Sequence, residues 1–349
     1  MWHERALTVA TSVVSGLIVA GVVKAVNNGV ADGIVLLWFA LATFGAGMVA
    51  WVTGILLRRR KRSTRVFLMT SAFSQKYYLA DLVQRVHMAL DRHDIDLVLK
   101  VPEIDYDASA QAHNLNRIEA RHREYLGGII IAAETKRLSA DLAAFCRNTK
   151  LPVVFTDLEP SERDYPENAV YVGYDIGAQG QLAGQWLLRQ LQGVGRPNVL
   201  IVAGDEHRAR QDRCRELLAT TRDGVTVTVD DTCAFDRSRA HRAVRTYLRD
   251  LDRGQHLDAV FCTDDEMALG VVDALTPPTA ATRTTVVIGI DGVAEAKALI
   301  DSGKSPLRAT VMQDTQRLAG SVVDVLLRLR QGRAVDKRTS LTAEIYEAT

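Results

Sequence analysis

The strongest constraint on this chain is a strand-then-helix alternation that runs almost without interruption from Val66 to Val311. Short apolar runs at 66–70, 95–101, 128–132, 153–156 and 169–172 have the length of buried parallel strands, and helical periodicity predicts helices at 77–90, 110–123, 140–149 and 178–191. Gly193-Val194-Gly195-Arg196-Pro197 breaks the pattern. A second series follows, with strands near 199–202, 225–229, 258–262, 286–290 and 307–311. Strands that alternate with helices form parallel sheets covered on both faces. The expected class is therefore α/β, with two βαβ sheets building two similar lobes on either side of a cleft.

In such sheets ligands bind in the crevice past the carboxyl ends of the strands. The run Val-Phe-Cys-Thr-Asp-Asp-Glu-Met-Ala-Leu-Gly at 260–270 shows the arrangement, since strand 258–262 passes through Thr263-Asp264 into a helix. Topology puts Asp264 at a ligand position. The same residue is suited to cap the helix, with Asp265 and Glu266 favouring its positive N-terminal end.

Catalytic motifs fail on inspection. Gly303-Lys304-Ser305 resembles the end of a phosphate-binding loop, but the position that needs the first glycine holds Ala298. Gly193-Val194-Gly195 precedes a strand instead of following one, so it is no dinucleotide turn. No GxSxG, HExxH or metal-spaced Cys/His cluster occurs, and the expectation is a non-enzyme with neither cofactor nor metal. The cysteines, Cys146, Cys214, Cys233 and Cys262, show no CxxC pairing and read as buried free thiols. Lys+Arg number 43 against 42 Asp+Glu, so no overall field favours nucleic acid.

The N-terminal stretch has a different character. Residues 6–23 and 33–57 contain no charge and each is long enough to span a bilayer, which predicts a transmembrane hairpin and basic linker over 1–64. Small residues recur every fourth position, as Ser12, Gly16 and Ala20, then Ala42, Ala46, Ala50 and Gly54, a spacing that lets helices approach closely in lipid. Arg58-Arg59-Arg60-Lys61-Arg62 follows at once, whereas the loop at 27–32 has no Lys or Arg. Positive residues stay on the cytoplasmic side, so the soluble region is expected there, with the extracytoplasmic envelope as the alternative. Membrane spans in this place also leave no room for a helix-turn-helix ahead of Val66.

The 260–270 run, followed by Val-Val-Ile-Gly-Ile-Asp at 286–291, resembles the type 1 periplasmic sugar-binding proteins of the ribose-binding kind, whose fold also forms the effector domain of the lactose-repressor family. That resemblance implies a two-lobed sugar-binding domain over 65–349, closing on a small sugar through a hinge of three chain crossings. It implies one lobe of about 65–191 plus 314–336 and another of 192–313 plus 337–349. The segment Ser71-Ala72-Phe73-Ser74-Gln75-Lys76-Tyr77-Tyr78 matches the first binding loop, with Tyr77 and Tyr78 at its stacking aromatics and Gln75 at an asparagine. Asp175 matches an aspartate before a helix, Arg213 the sugar-contacting arginine, and Phe235 the aromatic of the second lobe. Asp264 stands where the family has asparagine, while Asp291 and Gln313 match the hinge aspartate and glutamine.

The chemistry of those residue types agrees. A sugar offers apolar C–H faces and a rim of hydroxyls, which call for aromatic rings and for planar carboxylate, amide and guanidinium groups. Lys76 replaces the family's proline, and three aspartates against one arginine make the cleft acidic, which disfavours sugar phosphates and sugar acids. The expected ligand is a neutral sugar, a polyol or an amino sugar. The other implied partners are the lipid bilayer through 6–57 and either a sugar permease or a signalling protein; nucleic acid is not among them.

Overall fold

The computed structural model describes residues 64–73, 77–160, 166–204, 208–252 and 254–348, together with Gly45, Gly47 and Met48. The expected membrane helices at 6–23 and 33–57 lie outside these residues, apart from those three positions. Among the described residues no helix is long and apolar enough to cross a membrane.

From Ser63 onward the chain forms one compact unit. Its strands are β1 Arg65–Met69, β2 Asp96–Lys100, β3 Gly127–Ile130, β4 Val153–Phe155, β5 Ala169–Tyr174, β6 Asn198–Val202, β7 Thr226–Asp230, β8 Ala259–Cys262, β9 Val286–Asp291, β10 Leu307–Met312, β11 Arg338–Leu341 and β12 Glu344–Glu347. They form two six-stranded sheets, ordered β11-β5-β4-β3-β1-β2 and β12-β10-β9-β8-β6-β7. Every pairing is parallel except β10 with β12. Central strands such as β3, β4 and β8 are buried along their whole length because helices cover both faces, which is why they read as unbroken apolar runs.

The helices are α1 Tyr77–Asp91, α2 Ala108–Glu119, α3 Thr135–Thr149, α4 Ile176–Gln190, α5 Arg208–Thr221, α6 Arg237–Asp250, α7 Asp265–Ala274, α8 Ala294–Asp301 and α9 Thr315–Arg330. An aspartate begins many of them. Asp107, Asp175, Asp236, Asp264 and Asp314 each accept a hydrogen bond from a backbone N–H in the first turn of α2, α4, α6, α7 and α9. This cap satisfies donors that the helix cannot, and it sets the turn that follows each strand.

The lobe boundaries expected at 191 and 336 require correction. Helix α4 packs on α5 and against β9, β10 and β12, and the Trp186 indole donates to Glu347 Oε2 at 2.6 Å, so α4 belongs to the second lobe. Strand β11 pairs with β5 and belongs to the first. The chain therefore crosses between the lobes near Asp175, near Gln313 and between Leu341 and Glu344. Helix α9 lies on α1 and over β3, β4 and β5, returning to the first lobe after the second crossing. Apolar patterning was blind to these assignments because α4 and β11 have the same character whichever sheet they cover.

Candidate functional site

The carboxyl ends of both sheets face one cleft, lined by Tyr77, Tyr78, Tyr106, Asp157 and Leu158 from the first lobe and Arg210, Phe235, Asp264, Glu266 and Asp291 from the second. Asp291 is the last residue of β9, and the other side chains stand on a loop or first helical turn past a strand, as expected of this topology. The free space inside is about 40 Å³, well below the roughly 300 Å³ of an ordinary small-molecule pocket. The lobes are drawn together. Tyr106 and Phe235 meet across the gap with ring centroids 5.3 Å apart and planes tilted by 48°.

Backbone strain is concentrated here. Tyr106, Asp157, Phe235 and Asp291 all have positive φ, at 62°, 66°, 58° and 122°. Non-glycine residues adopt such angles only when their surroundings enforce them, and strained residues of this kind gather at ligand sites. For Tyr106 the enforcement is visible in two hydrogen bonds to the neighbouring loop. Its N–H donates to the Ser71 carbonyl at 2.7 Å, and Asp105 Oδ1 accepts from the Phe73 N–H at 2.9 Å. Phe235 lies against Gly204, where a Cβ would come within 2.6 Å of the ring.

Arg210 is the cation of the cleft. It is 2% exposed, donates from Nε to Gln179 Oε1 at 2.7 Å, and donates from a terminal nitrogen to the Thr263 carbonyl at 2.8 Å. The backbone carrying it is pressed against α4, since a Cβ on Gly180 would stand 2.1 Å from the Arg210 carbonyl oxygen. The expectation that Arg213 fills this role is corrected. Arg213 points to solvent with its side chain 45% exposed, paired with Glu216 and Gln181.

The other expected residues divide by location. Tyr77, Tyr78, Phe235, Asp264 and Asp291 line the cleft. Tyr78 is buried, whereas Tyr77 is 56% exposed. Gln313 stands behind the lining, where its amide donates to Asp291 Oδ1 at 2.6 Å and its Oε1 is within 3.5 Å of the Tyr78 hydroxyl. Asp175 is brought to a helix cap instead of the cleft; its Oδ1 accepts from the Ala178 N–H at 3.0 Å, and the side chain is half exposed beside Arg338. Gln75 and Lys76 lie outside the described residues. Tyr106, Asp157, Arg210 and Glu266 were not anticipated.

Burial raises the carboxyls of Asp157 and Asp291 above the usual carboxylate range, opposed in both cases by Arg210. Asp265, Asp264 and Asp157 push Asp291 further in the same direction. Asp265 lies below the cleft floor, wholly buried, and desolvation lifts it to about 7 against the hydrogen bonds it accepts from Val293, Thr310 and Gly292. An unfolded aspartate titrates near 3.9, so over the interval between the two values the folded chain holds a proton that the unfolded chain has lost. That advantage exists on the acid side and disappears as pH rises through about 7. The melting temperature of the unliganded protein is accordingly expected to fall between pH 5 and pH 8. A melting temperature that rises over this range would show that the buried carboxyls are held ionised.

A periplasmic binding protein domain model matches residues 67–334. The chain belongs to that family. Among curated relatives, a putative rhizopine-binding protein of Rhizobium meliloti is 26% identical over 199 residues, covering 56% of this chain and 63% of the relative. A ribose import binding protein of Salmonella typhimurium is 25% identical over 191 residues, covering 54% and 60%. The chain thus spans less than two thirds of the length of either. Among solved structures, a periplasmic solute-binding protein of an ABC transporter from Actinobacillus succinogenes with bound D-allose superposes with a TM-score of 0.72 at 16% identity, covering 81% of this chain and 97% of that one. A solute-binding protein from Bacillus halodurans with bound myo-inositol gives 0.71 at 20% identity, covering 82% and 94%. At these identities the likeness is one of fold. The relatives of this periplasmic binding protein are substrate-binding proteins, not enzymes.

Proposed function

We propose that the chain is a non-catalytic binding protein for a small sugar or polyol, which it encloses by bringing two lobes together. The observation that carries this reading is the make-up of the interlobe cleft. Aromatic rings from both lobes, Tyr78 and Tyr106 from one and Phe235 from the other, stand beside an oriented guanidinium and several carboxyls. Rings cover C–H faces, and planar charged groups bond pairs of hydroxyls, which is the division of labour a polyhydroxylated ring requires. The relatives named for ribose and found with allose or inositol support the same class.

Titration calorimetry with pentoses, hexoses and cyclic polyols is expected to give a dissociation constant in the micromolar range or tighter for at least one of them. The same compound should raise the melting temperature, because it binds only the folded chain. A complete panel with nothing tighter than millimolar would overturn the ligand class.

The uncharged runs at 6–23 and 33–57 support a membrane tether, and the family supports a place in the extracytoplasmic envelope, where the chain would hand its ligand to a permease. A second reading, a sensor on the cytoplasmic side that reports lobe closure to a partner protein, is favoured by the basic run at 58–62. A topology reporter fused after Thr349 decides between them: activity of an exported reporter removes the sensor, and activity of a cytoplasmic one removes the receptor.

A further inference from the structure

We infer that the hydroxyls of Tyr171 and Tyr174 are positioning groups for ligand binding, which tie the setting of the hinge to the backbone of the cleft residue Asp157. The inference rests on the sugar-or-polyol reading and adds to it two residues that stand outside the cleft lining. Tyr174 is the last residue of β5 and directly precedes the first crossing near Asp175. Its hydroxyl donates to the Asp314 carbonyl at 3.2 Å, on the second crossing, and its strand partner on β11 is Leu341, from which the third crossing leaves. One residue therefore adjoins all three crossings. A hinge moves by changing a few backbone angles at such places. A hydroxyl bonded to a carbonyl tolerates only a narrow range of distance and angle, so rotation at the crossings breaks the Tyr174 bond and leaves a buried donor unpaired. The bond accordingly favours the drawn-together lobes.

Tyr171, earlier on the same strand, carries the connection onward. Its hydroxyl donates to the Asp157 carbonyl at 3.0 Å and has the Tyr174 carbonyl at 3.3 Å, so one proton is shared between the cleft loop and the hinge. Asp157 holds a φ of 66°, and the bond to its carbonyl helps to fix that left-handed turn. Room for the hydroxyl depends on Gly173, where a Cβ would stand 2.1 Å from the phenol oxygen. Arg338 on β11 lies over the Tyr171 ring at 5.8 Å and pairs with Glu159 at 3.0 Å and Asp175 at 3.8 Å, which adds ties at the same strand end. Both tyrosines are buried, and desolvation raises both phenols above their ordinary range, so the hydroxyls stay protonated and remain donors.

The variants Tyr171→Phe, Tyr174→Phe and their double variant remove the hydroxyls and keep the rings. Two measurements on the full chain test them: calorimetry with D-ribose, D-allose and myo-inositol, and the interlobe distance distribution of the unliganded protein from spin labels at Ala140→Cys on α3 and Ala219→Cys on α5. Both alanines are exposed and the four native thiols are buried, so the labels go to the introduced cysteines. Tyr174→Phe is expected to move the distribution to longer distances. Each single variant should weaken the tightest-binding of the three compounds by about threefold to tenfold, the range one net hydrogen bond covers. The double variant should lose less than the product of the two single effects, because both hydroxyls act through Tyr174. Tyr247→Phe, which removes a hydroxyl bonded to Thr228 in the second lobe, should change neither readout. Losses that simply multiply would show two separate structural contacts and overturn the coupling. Wild-type binding in either single variant, or a distance distribution that Tyr174→Phe leaves unchanged, would overturn it as well. If the wild type binds none of the three compounds, the sugar-or-polyol reading is what fails, and the distance distribution, which needs no ligand, decides by itself whether Tyr174 sets the hinge.

Discussion

Replacing Arg210 with alanine is expected to abolish measurable ligand binding, whereas Arg213→Ala should leave it within about twofold of wild type. The two arginines are three positions apart on α5 and differ in everything that decides the effect. Arg210 is buried and serves Gln179 and the Thr263 carbonyl, while Asp157 and Asp291 depend on its charge. Truncating it leaves buried acceptors unpaired and carboxyls without a counter-charge. Breaking a buried charged arrangement by removing one partner costs about 3–5 kcal/mol, so affinity should drop by roughly a hundredfold or more. Arg213 makes exposed contacts with Glu216 and Gln181, which contribute about 0–1 kcal/mol. Arg210→Lys should fail to restore binding, because an ammonium cannot reproduce a fork that reaches two acceptors at once. Calorimetry on the three variants, with circular dichroism to confirm folding, checks the assignment. Strong binding by Arg210→Ala, or its loss in Arg213→Ala, would reverse it.

The confusion of these two residues shows which part of the site was legible in the sequence. Resemblance located the helix, but helical geometry chooses the residue. Arg210, Cys214 and Leu218 recur at intervals of four and are all buried, so Arg210 continues the apolar stripe of α5. Arg213, with Glu216 three residues later, has the pattern of a solvated ion pair. Reading the stripe before the motif would have selected the arginine that lines the cleft. Asp157 was equally accessible to that logic, since it follows directly on the predicted strand 153–156. Tyr106 was not. It lies in a loop without periodicity, and its place in the cleft depends on a left-handed backbone and on contacts with the loop after β1, which are tertiary facts. The alternation of strands and helices was legible because parallel strands covered on both faces leave an unbroken apolar trace. The lobe to which α4 and β11 belong was not, since either sheet would bury them equally well.

Asp265→Ala is expected to destabilise the protein by roughly 3–5 kcal/mol, the typical cost of stripping hydrogen bonds from several buried groups at once. Asp265 follows Asp264 in the chain and was read with Glu266 as a carboxylate favouring a helix end. The three acids have separate tasks. Asp264 caps α7 and Glu266 lines the cleft, while Asp265 is turned under the floor. There its Oδ2 accepts from the N–H groups of Gly292 and Val293 at 2.8 and 2.9 Å, and its Oδ1 from the Thr310 hydroxyl at 2.8 Å. These bonds hold the turn immediately after Asp291, so Asp265 is a positioning residue for a cleft carboxyl it does not replace. Asparagine is predicted to behave differently from alanine. Its amide oxygen can keep both backbone donors, and its NH2 can donate to the Thr310 oxygen, which already accepts from Gly292 at 3.2 Å. The neutral side chain also avoids the desolvation that lifts the native carboxyl to about 7. Above that pH the wild-type chain carries the full penalty of a buried charge, so Asp265→Asn should match or exceed wild-type stability at pH 8 and lose part of the fall expected between pH 5 and pH 8. Denaturant unfolding of wild type, Asp265→Ala and Asp265→Asn at both pH values measures each step. If asparagine proves as destabilising as alanine at pH 8, the negative charge itself holds the turn, and burial is not what sets the titration of this carboxyl.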